Sequence, residues 1–306
     1  MAAVFWLRAL PPFRLDLTAW AIRRRPENKM DLWDGRIYSR VLALGDKVAK
    51  VCVAQAKPTS SRLRVTTTGV DLDASTKAQI ILALDRLLGR RVDLRLFYSF
   101  AARDRRLSEL AQRFYGLKPP RFPTIFEALV NGIACQQLSL AVGITLLNRL
   151  AEAYGLPFVG PEQNQHAFPR PDALASANVA ELKQLGFSSN KSRALIELAS
   201  GIATGRIDLE HCTPMGDQEM IARLLGIRGV GRWTAEYVLL RGFGKTSIFP
   251  GDDVGARNNL ARWLKLRKAL DYGGVERTLV KWKPYAGLIY FHLLMDRLES
   301  GGYLKS

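Results

Sequence analysis

The sequence predicts an α+β protein: a small N-terminal antiparallel sheet domain with helices over residues 1–102, then an all-α region over residues 103–306. Three observations lead there. Short alternating or β-branched runs are confined to the stretch from Phe13 to about Val70. Beyond Arg103 the apolar residues recur at helical spacing, with cap residues at the breaks. Between Leu224 and Val254 three glycines punctuate a turn between two such helical runs.

In the first domain FRLDLTAW, GRIYSRVLAL, KVAKVCVAQ and RLRVTTTGV read as strands of a meander, divided by Asp-Gly, Gly-Asp and Pro-Thr-Ser turns. ASTKAQIILALDRLLG follows with Ile80, Ile81, Leu84, Leu87 and Leu88 on one stripe, a helix able to cover a sheet face. The all-α region runs through LSELAQRFYG, TIFEALVNGIACQQLS, AVGITLLNRLAEAYG, NVAELKQLG, NKSRALIELASGIATG, EMIARLLG, GRWTAEYVLLRG, DVGARNNLARWLKL and KPYAGLIYFHLLMDRLES. Most begin at Ser, Thr, Asn, Asp or Pro, and several stop at Gly. PFVGPEQNQHAFPRPD, rich in Pro, Asn and Gln, reads as a surface loop.

Composition is that of a folded globular chain, with 48% hydrophobic and 24% charged residues. The anomaly is charge. Lys and Arg number 45 against 28 Asp and Glu, a formal net charge of +17. Such a field attracts polyanions; nucleic acid and an anionic membrane surface both satisfy it, but no amphipathic Lys-rich anchor or lipidation signal supports the second. Cys52, Cys135 and Cys212 lack CxxC spacing, which argues against a zinc site, a four-thiolate iron-sulfur cluster or a disulfide framework; they read as small buried hydrophobes. No uninterrupted apolar run reaches the roughly 18 residues of a membrane span, and the apolar start carries Arg8 and a Pro pair. Cytoplasmic residence, nucleoid-associated in a prokaryote, is the expectation.

The chemistry concentrates around the glycine turn. Gly226, Gly229 and Gly231 let the backbone approach another molecule closely, and the helix that follows points free amides outward, where phosphate binds. Arg223, Arg228, Arg232, Arg241 and Lys245 accompany a single acid, Glu236; Arg257 to Lys268 adds five more basic residues and no acid. A charged helix face is commonly just solvated, yet the group outlines a phosphate track. Trp233 and Tyr237, four apart, share one helix face; such a pair serves a core as readily as a pocket in which a nucleobase stacks. In Phe249-Pro250-Gly251-Asp252-Asp253-Val254 the acids precede a helix. An Asp there is ordinarily an N-cap, and a fixed anion beside an aromatic pocket also suits a reaction whose transition state becomes cationic, such as N-glycosidic cleavage.

GIRGVGRWTAEYVLLRG, followed about twenty residues after the hairpin by an Asp, resembles the helix-hairpin-helix base-excision DNA glycosylase superfamily, in its details the DNA-3-methyladenine glycosylase II type. PPFRLDLTAWAIRR and WDGRIYSRVL are similar to that family's N-terminal mixed domain, IACQQLS to its central helix, and LGFSSNKSRALIELASGI to the helices before the hairpin. The resemblance implies two helical subdomains with the active-site cleft between them. It implies that Asp253 is the catalytic carboxylate, that Trp233, Tyr237 and Tyr285 wall the base pocket, and that Leu225, Gly226, Ile227, Gly229, Val230, Gly231 and Arg232 form the DNA-binding hairpin. No cofactor is implied beyond a structural monovalent cation at the hairpin carbonyls, and no catalytic metal.

Three departures narrow the reading. Bifunctional relatives carry a Lys two positions after the last hairpin Gly, where this chain has Trp233, which favours a monofunctional enzyme. Relatives with an iron-sulfur cluster have four C-terminal Cys; here none follows Cys212. Gln137 occupies the place of an apolar wedge that fills the gap left by a flipped base. The expected protein is a monomer acting on double-stranded DNA that contains damaged bases, away from membranes, excising alkylated purines such as 3-methyladenine or 7-methylguanine. An oxidised-base glycosylase with strand cleavage, a noncatalytic DNA-binding module and a nuclease using Asp252 and Asp253 as metal ligands are the alternatives.

Overall fold

The computed structural model describes residues 2–160, 165–209 and 215–304, so Cys212 and part of the Pro-rich loop lie outside the described residues. The N-terminal part contains β1 (Ala3–Arg8), α1 (Leu15–Arg23), β2 (Leu32–Trp33), β3 (Ile37–Leu44), β4 (Lys47–Gln55), β5 (Arg62–Thr68) and α2 (Ala74–Leu87). The strands form one antiparallel sheet in the order β1-β5-β4-β3-β2. Alternation sets its faces: Ala49, Val51 and Val53 of β4 and Leu63 and Val65 of β5 are buried, with Ile80, Leu84 and Leu87 of α2 in the same core.

FRLDLTAW, expected as a strand, is instead the start of α1, and the first strand lies earlier, in AVFWLR. Phe13, Leu15 and Leu17 imitate a period of two. The buried set Leu15, Thr18, Ala19 and Ile22, however, is the set a helix brings to one side. α1 buries a second side as well: Leu15, Ala19 and Ile22 enter the sheet core, while Leu17 and Ala21 enter a core of C-terminal helices.

The helical part continues with α3 (Arg95–Ala101), α4 (Arg105–Arg113), α5 (Ile125–Cys135) and α6 (Leu140–Tyr154). The loop expected after α6 contains a short ladder of β6 (Pro157–Phe158) with β7 (Gln165–His166), and α7 (Pro171–Ala175) begins within it. Then come α8 (Val179–Gln184), α9 (Ser189–Ala203), α10 (Asp217–Leu225), α11 (Arg232–Val238) continued by a π turn over Leu239–Phe243, α12 (Val254–Trp263), α13 (Tyr272–Leu279), a 3-10 segment over Val280–Tyr285 and α14 (Ala286–Ser300). One core gathers α5, α6, α9 and α11; another gathers α3, α4, α12, α13 and α14 with the second side of α1. The second core crosses the expected boundary at residue 102, since Leu94, Phe97 and Ala101 pack in it beside Leu107 and Leu110.

Buried charge also joins the two parts. Arg40 of β3 donates to Asp31 at 2.8 Å and to both oxygens of Glu127 on α5 at 2.6 and 2.7 Å, all three side chains being almost fully buried. Tyr38 donates its hydroxyl to the same Asp31 oxygen at 2.7 Å. Cys52 and Cys135 are free thiols and only partly buried, short of the expected full burial.

His292 of α14 lies deep in the second core against Phe97 and Phe114. Its Nδ1 bonds the Leu288 carbonyl at 2.7 Å and its Nε2 has no partner. Burial lowers its pKa from 6.5 to about 4. Between those values the unfolded chain binds a proton that the folded imidazole refuses, so stability drains as pH falls from 6.5 towards 4, by about 3 kcal/mol from this group. Urea titrations at pH 7 and pH 4.5 should show a smaller acid loss in His292→Leu than in the wild type; equal losses would remove His292 as the cause.

Candidate active site

The hairpin, α11 and the start of α12 build one site. α10 ends at Leu225 and α11 starts at Arg232. Gly229 has φ +80°, and a Cβ there would meet the Ala194 Cβ at 2.6 Å, so both backbone conformation and close packing demand glycine. Val230 is buried beneath the turn, whereas Leu225, Gly231 and Arg232 are exposed. Gly231 caps α11 without a side chain, which leaves the first-turn amides of that helix free of a side-chain acceptor. Gly226 and Ile227 close the turn, the latter packing against the first helical core.

One turn into α11, Trp233 and Tyr237 stack with ring centroids 5.4 Å apart and planes inclined by 25°. The indole is half-buried; the phenol ring is buried. Asp253 stands against the open side. Its Oδ1 accepts from the Ala256 amide at 2.8 Å, capping α12, while Oδ2 accepts from the Trp233 indole at 3.3 Å. The capping reading of this Asp holds, and its second oxygen ties the head of α12 to the stacked pair. Asp252 lies 4.0 Å from the Arg232 guanidinium and caps nothing.

The loop before Asp253 is clamped by Glu236, a residue the sequence showed only as the lone acid of a basic stretch. Its carboxylate accepts from the Gly251 amide at 2.9 Å and from the Tyr272 hydroxyl at 2.7 Å. A Cβ on Gly251 would lie 2.8 Å from the Tyr272 ring, so glycine lets the ring close over the loop. Burial pushes the Glu236 carboxyl above its usual range, although both donors oppose this.

Across the site α5 stops at Cys135, before the expected end of its helical run. Lys191 donates to the Ala134 and Gln136 carbonyls at 2.9 and 2.7 Å, and Gln136 donates to the Gly229 carbonyl at 2.7 Å and the Thr234 hydroxyl at 2.8 Å. These anchors present Gln137 exposed with φ +55°, a left-handed backbone in a non-glycine residue.

Tyr285 packs its half-buried ring on Phe97 and Phe100 of α3, with centroids 5.5 and 5.0 Å away, and makes no ring contact with the Trp233–Tyr237 pair. One expected placement fails. Arg241 does not join a phosphate track. It is almost fully buried, packed over the rings of Phe122, Tyr237 and Phe291, and it donates to the Ala21 carbonyl at 3.1 Å. Helical spacing from Tyr237 places it inside, but nothing in the sequence separates it from its exposed neighbours. Of the rest, Arg228 pairs with Glu197 and Lys245 with Asp217, while Arg262, Lys265, Arg267 and Lys268 remain exposed.

Two residues missed in the sequence lie behind the pair. Tyr290 of α14 has its phenol pKa driven far up, by burial first and then by Asp253 and Tyr237, which places it in their electrostatic reach. Arg24, just past α1, donates to the Tyr237 hydroxyl at 3.0 Å. Among the described residues no group of three or more metal-ligating side chains occurs, and no helix is long and apolar enough to cross a membrane.

The pattern of HhH-GPD superfamily base excision DNA repair proteins matches residues 130–284, which hold the hairpin, the aromatic pair and Asp253. The chain belongs to this superfamily. Among HhH-GPD relatives, a DNA-3-methyladenine glycosylase of Bacillus subtilis is 26% identical over 260 residues, 85% of this chain and 86% of that protein. DNA-3-methyladenine glycosylase 2 of Escherichia coli is 30% identical over 179 residues, 58% of this chain and 60% of that protein. In fold, the 3-methyladenine DNA glycosylase from Archaeoglobus fulgidus superposes with a TM-score of 0.83, covering 97% of this chain and 99% of that one at 23% identity. Arg24 and Tyr290 lie outside the span that matches the HhH-GPD pattern.

Proposed function

We propose that the protein is a monofunctional DNA glycosylase of base excision repair that draws alkylated purines, such as 3-methyladenine or 7-methylguanine, from duplex DNA and hydrolyses their N-glycosidic bond. The observation that carries this reading is the Asp253 carboxylate, half-exposed at the head of α12 with one oxygen on the indole of a stacked aromatic pair. An extruded base stacks on the exposed indole face, and the positive charge of an alkylated ring adds about 0.5 to 2 kcal/mol of cation-π attraction. The glycosidic electron pair leaves with the base, which its charge makes a good leaving group. Asp253 faces the oxocarbenium-like sugar so formed, and water adds at the anomeric carbon as its proton passes to the carboxylate or solvent.

The hairpin holds the phosphate backbone through its main-chain amides, and Gln137 enters the space vacated in the stack. Between Leu225 and Gly231 the hairpin has no carboxylate, so its carbonyls suit a structural monovalent cation better than a divalent one. The protein acts as a monomer in the cytoplasm, on the nucleoid in a prokaryote.

The test is chromatographic identification of bases released from methylated and from deaminated duplex DNA. Free 3-methyladenine or 7-methylguanine supports the reading; tight, salt-sensitive binding without release of any base overturns it in favour of a noncatalytic binder. Trp233→Ala is expected to raise the cost of base capture by about 1 to 3 kcal/mol, read as a fall in kcat/KM at unchanged thermal stability. A variant that unfolds instead would make the indole a core residue.

A further inference from the structure

Behind the stacked pair the N-terminal part supplies a buried cation. Arg24 follows α1 with φ +62°, its amide donating to the Trp20 carbonyl, so a bulky residue is held in the sparsely populated left-handed region. Its guanidinium is buried. Nη1 donates to the Tyr237 hydroxyl at 3.0 Å, Nη2 donates to Asn131 Oδ1 at 2.8 Å, and Nε has no partner. Asn131 is itself fixed, its amide nitrogen donating to the Glu127 carbonyl at 3.2 Å. A second buried guanidinium, Arg241, lies over the Tyr237 ring with its Nε and Nη1 unpartnered.

Donors therefore outnumber acceptors here. The Tyr237 oxygen is occupied by Arg24, and no protein group among the described residues accepts the phenol hydrogen. Asp253 is engaged by the α12 amide and the indole. What complements such a floor is a base edge that brings a lone pair and no positive charge.

We propose that Arg24 is a positioning residue that sets base selectivity: it holds the Tyr237 hydroxyl as a donor towards the pocket and favours uncharged purines bearing a carbonyl acceptor over cationic ones. This rests on the glycosylase reading and deepens it. The aromatic faces favour cationic bases, the buried guanidiniums oppose them, and the balance between the two is set from outside the span that carries the family pattern.

The experiment compares release of hypoxanthine, neutral with a carbonyl, against 3-methyladenine, cationic and without a carbonyl, from duplexes of otherwise equal sequence. Arg24→Met should lower the hypoxanthine to 3-methyladenine ratio of kcat/KM about tenfold or more, the worth of a charge-assisted hydrogen bond. Arg24→Lys should restore part of it. Tyr237→Phe, which keeps the ring and the packing, should lower the ratio in the same direction, and the double variant should shift it no further than either single one. Equal losses on both bases, or additive effects of the two substitutions, overturn the inference while leaving the glycosylase reading intact. Release of neither base by the wild type overturns both.

Discussion

Asparagine at position 253 is expected to abolish base release while preserving the fold and the affinity for DNA. Asparagine is as good an N-cap as aspartate, so the bond from the Ala256 amide that starts α12 survives. What is lost is the negative charge beside the Trp233 indole, which in the proposed mechanism stabilises a cationic sugar. Removing one such electrostatic contact costs about 10²- to 10³-fold in rate in other enzymes, and a full charge facing an oxocarbenium-like centre is expected to cost at least that. Single-turnover release from methylated duplex, with a parallel binding titration, separates the two properties. An unimpaired release rate would remove Asp253 from the chemistry.

The largest effect on stability is expected from Glu127→Ala. The substitution leaves Arg40 buried with Asp31 as its remaining carboxylate partner and strips two hydrogen bonds from its guanidinium. Breaking a buried pair on one side costs about 3 to 5 kcal/mol, because the orphaned charge stays desolvated. Burial already pushes the Glu127 carboxyl upward against the pull of Arg40, so the ionised form is held by its partner and not by solvent. Urea unfolding should show the midpoint falling accordingly. A triple replacement, Arg40→Met with Glu127→Leu and Asp31→Asn, which leaves no buried charge behind, should recover most of the loss. A cost below about 1 kcal/mol for Glu127→Ala would show that water reaches the pair.

Legibility in the sequence followed the range of the forces involved. The hairpin, the stacked pair and the capping Asp are encoded within about thirty consecutive residues, by glycine conformation, helical periodicity and cap chemistry, and the structure brings Trp233, Tyr237 and Asp253 together. α2 and the strands β3 to β5 were readable for the same reason. α1 was misread because three alternating apolar residues fit a strand as well as a helix, and only burial on two sides decides between them. Arg241 reads as part of an exposed phosphate track, a role that tertiary packing reverses. Arg24 stands in the run Arg23-Arg24-Arg25 at a helix end, an ordinary place for solvated charge, and its partners are more than one hundred positions away. A single phenol in LIYFHLL was the only local hint of Tyr290, and an isolated aromatic in an apolar run signals core packing as readily as a pocket.

α1 buries both of its flanks, one in the sheet and one among the C-terminal helices, and Arg24 emerges from its last turn. A gene shortened to the superfamily-matching segment would therefore encode more than a smaller enzyme: it would encode one with its back wall missing. In this chain the sheet is masonry rather than ornament, and any graft of its helical part has to carry that helix along with it.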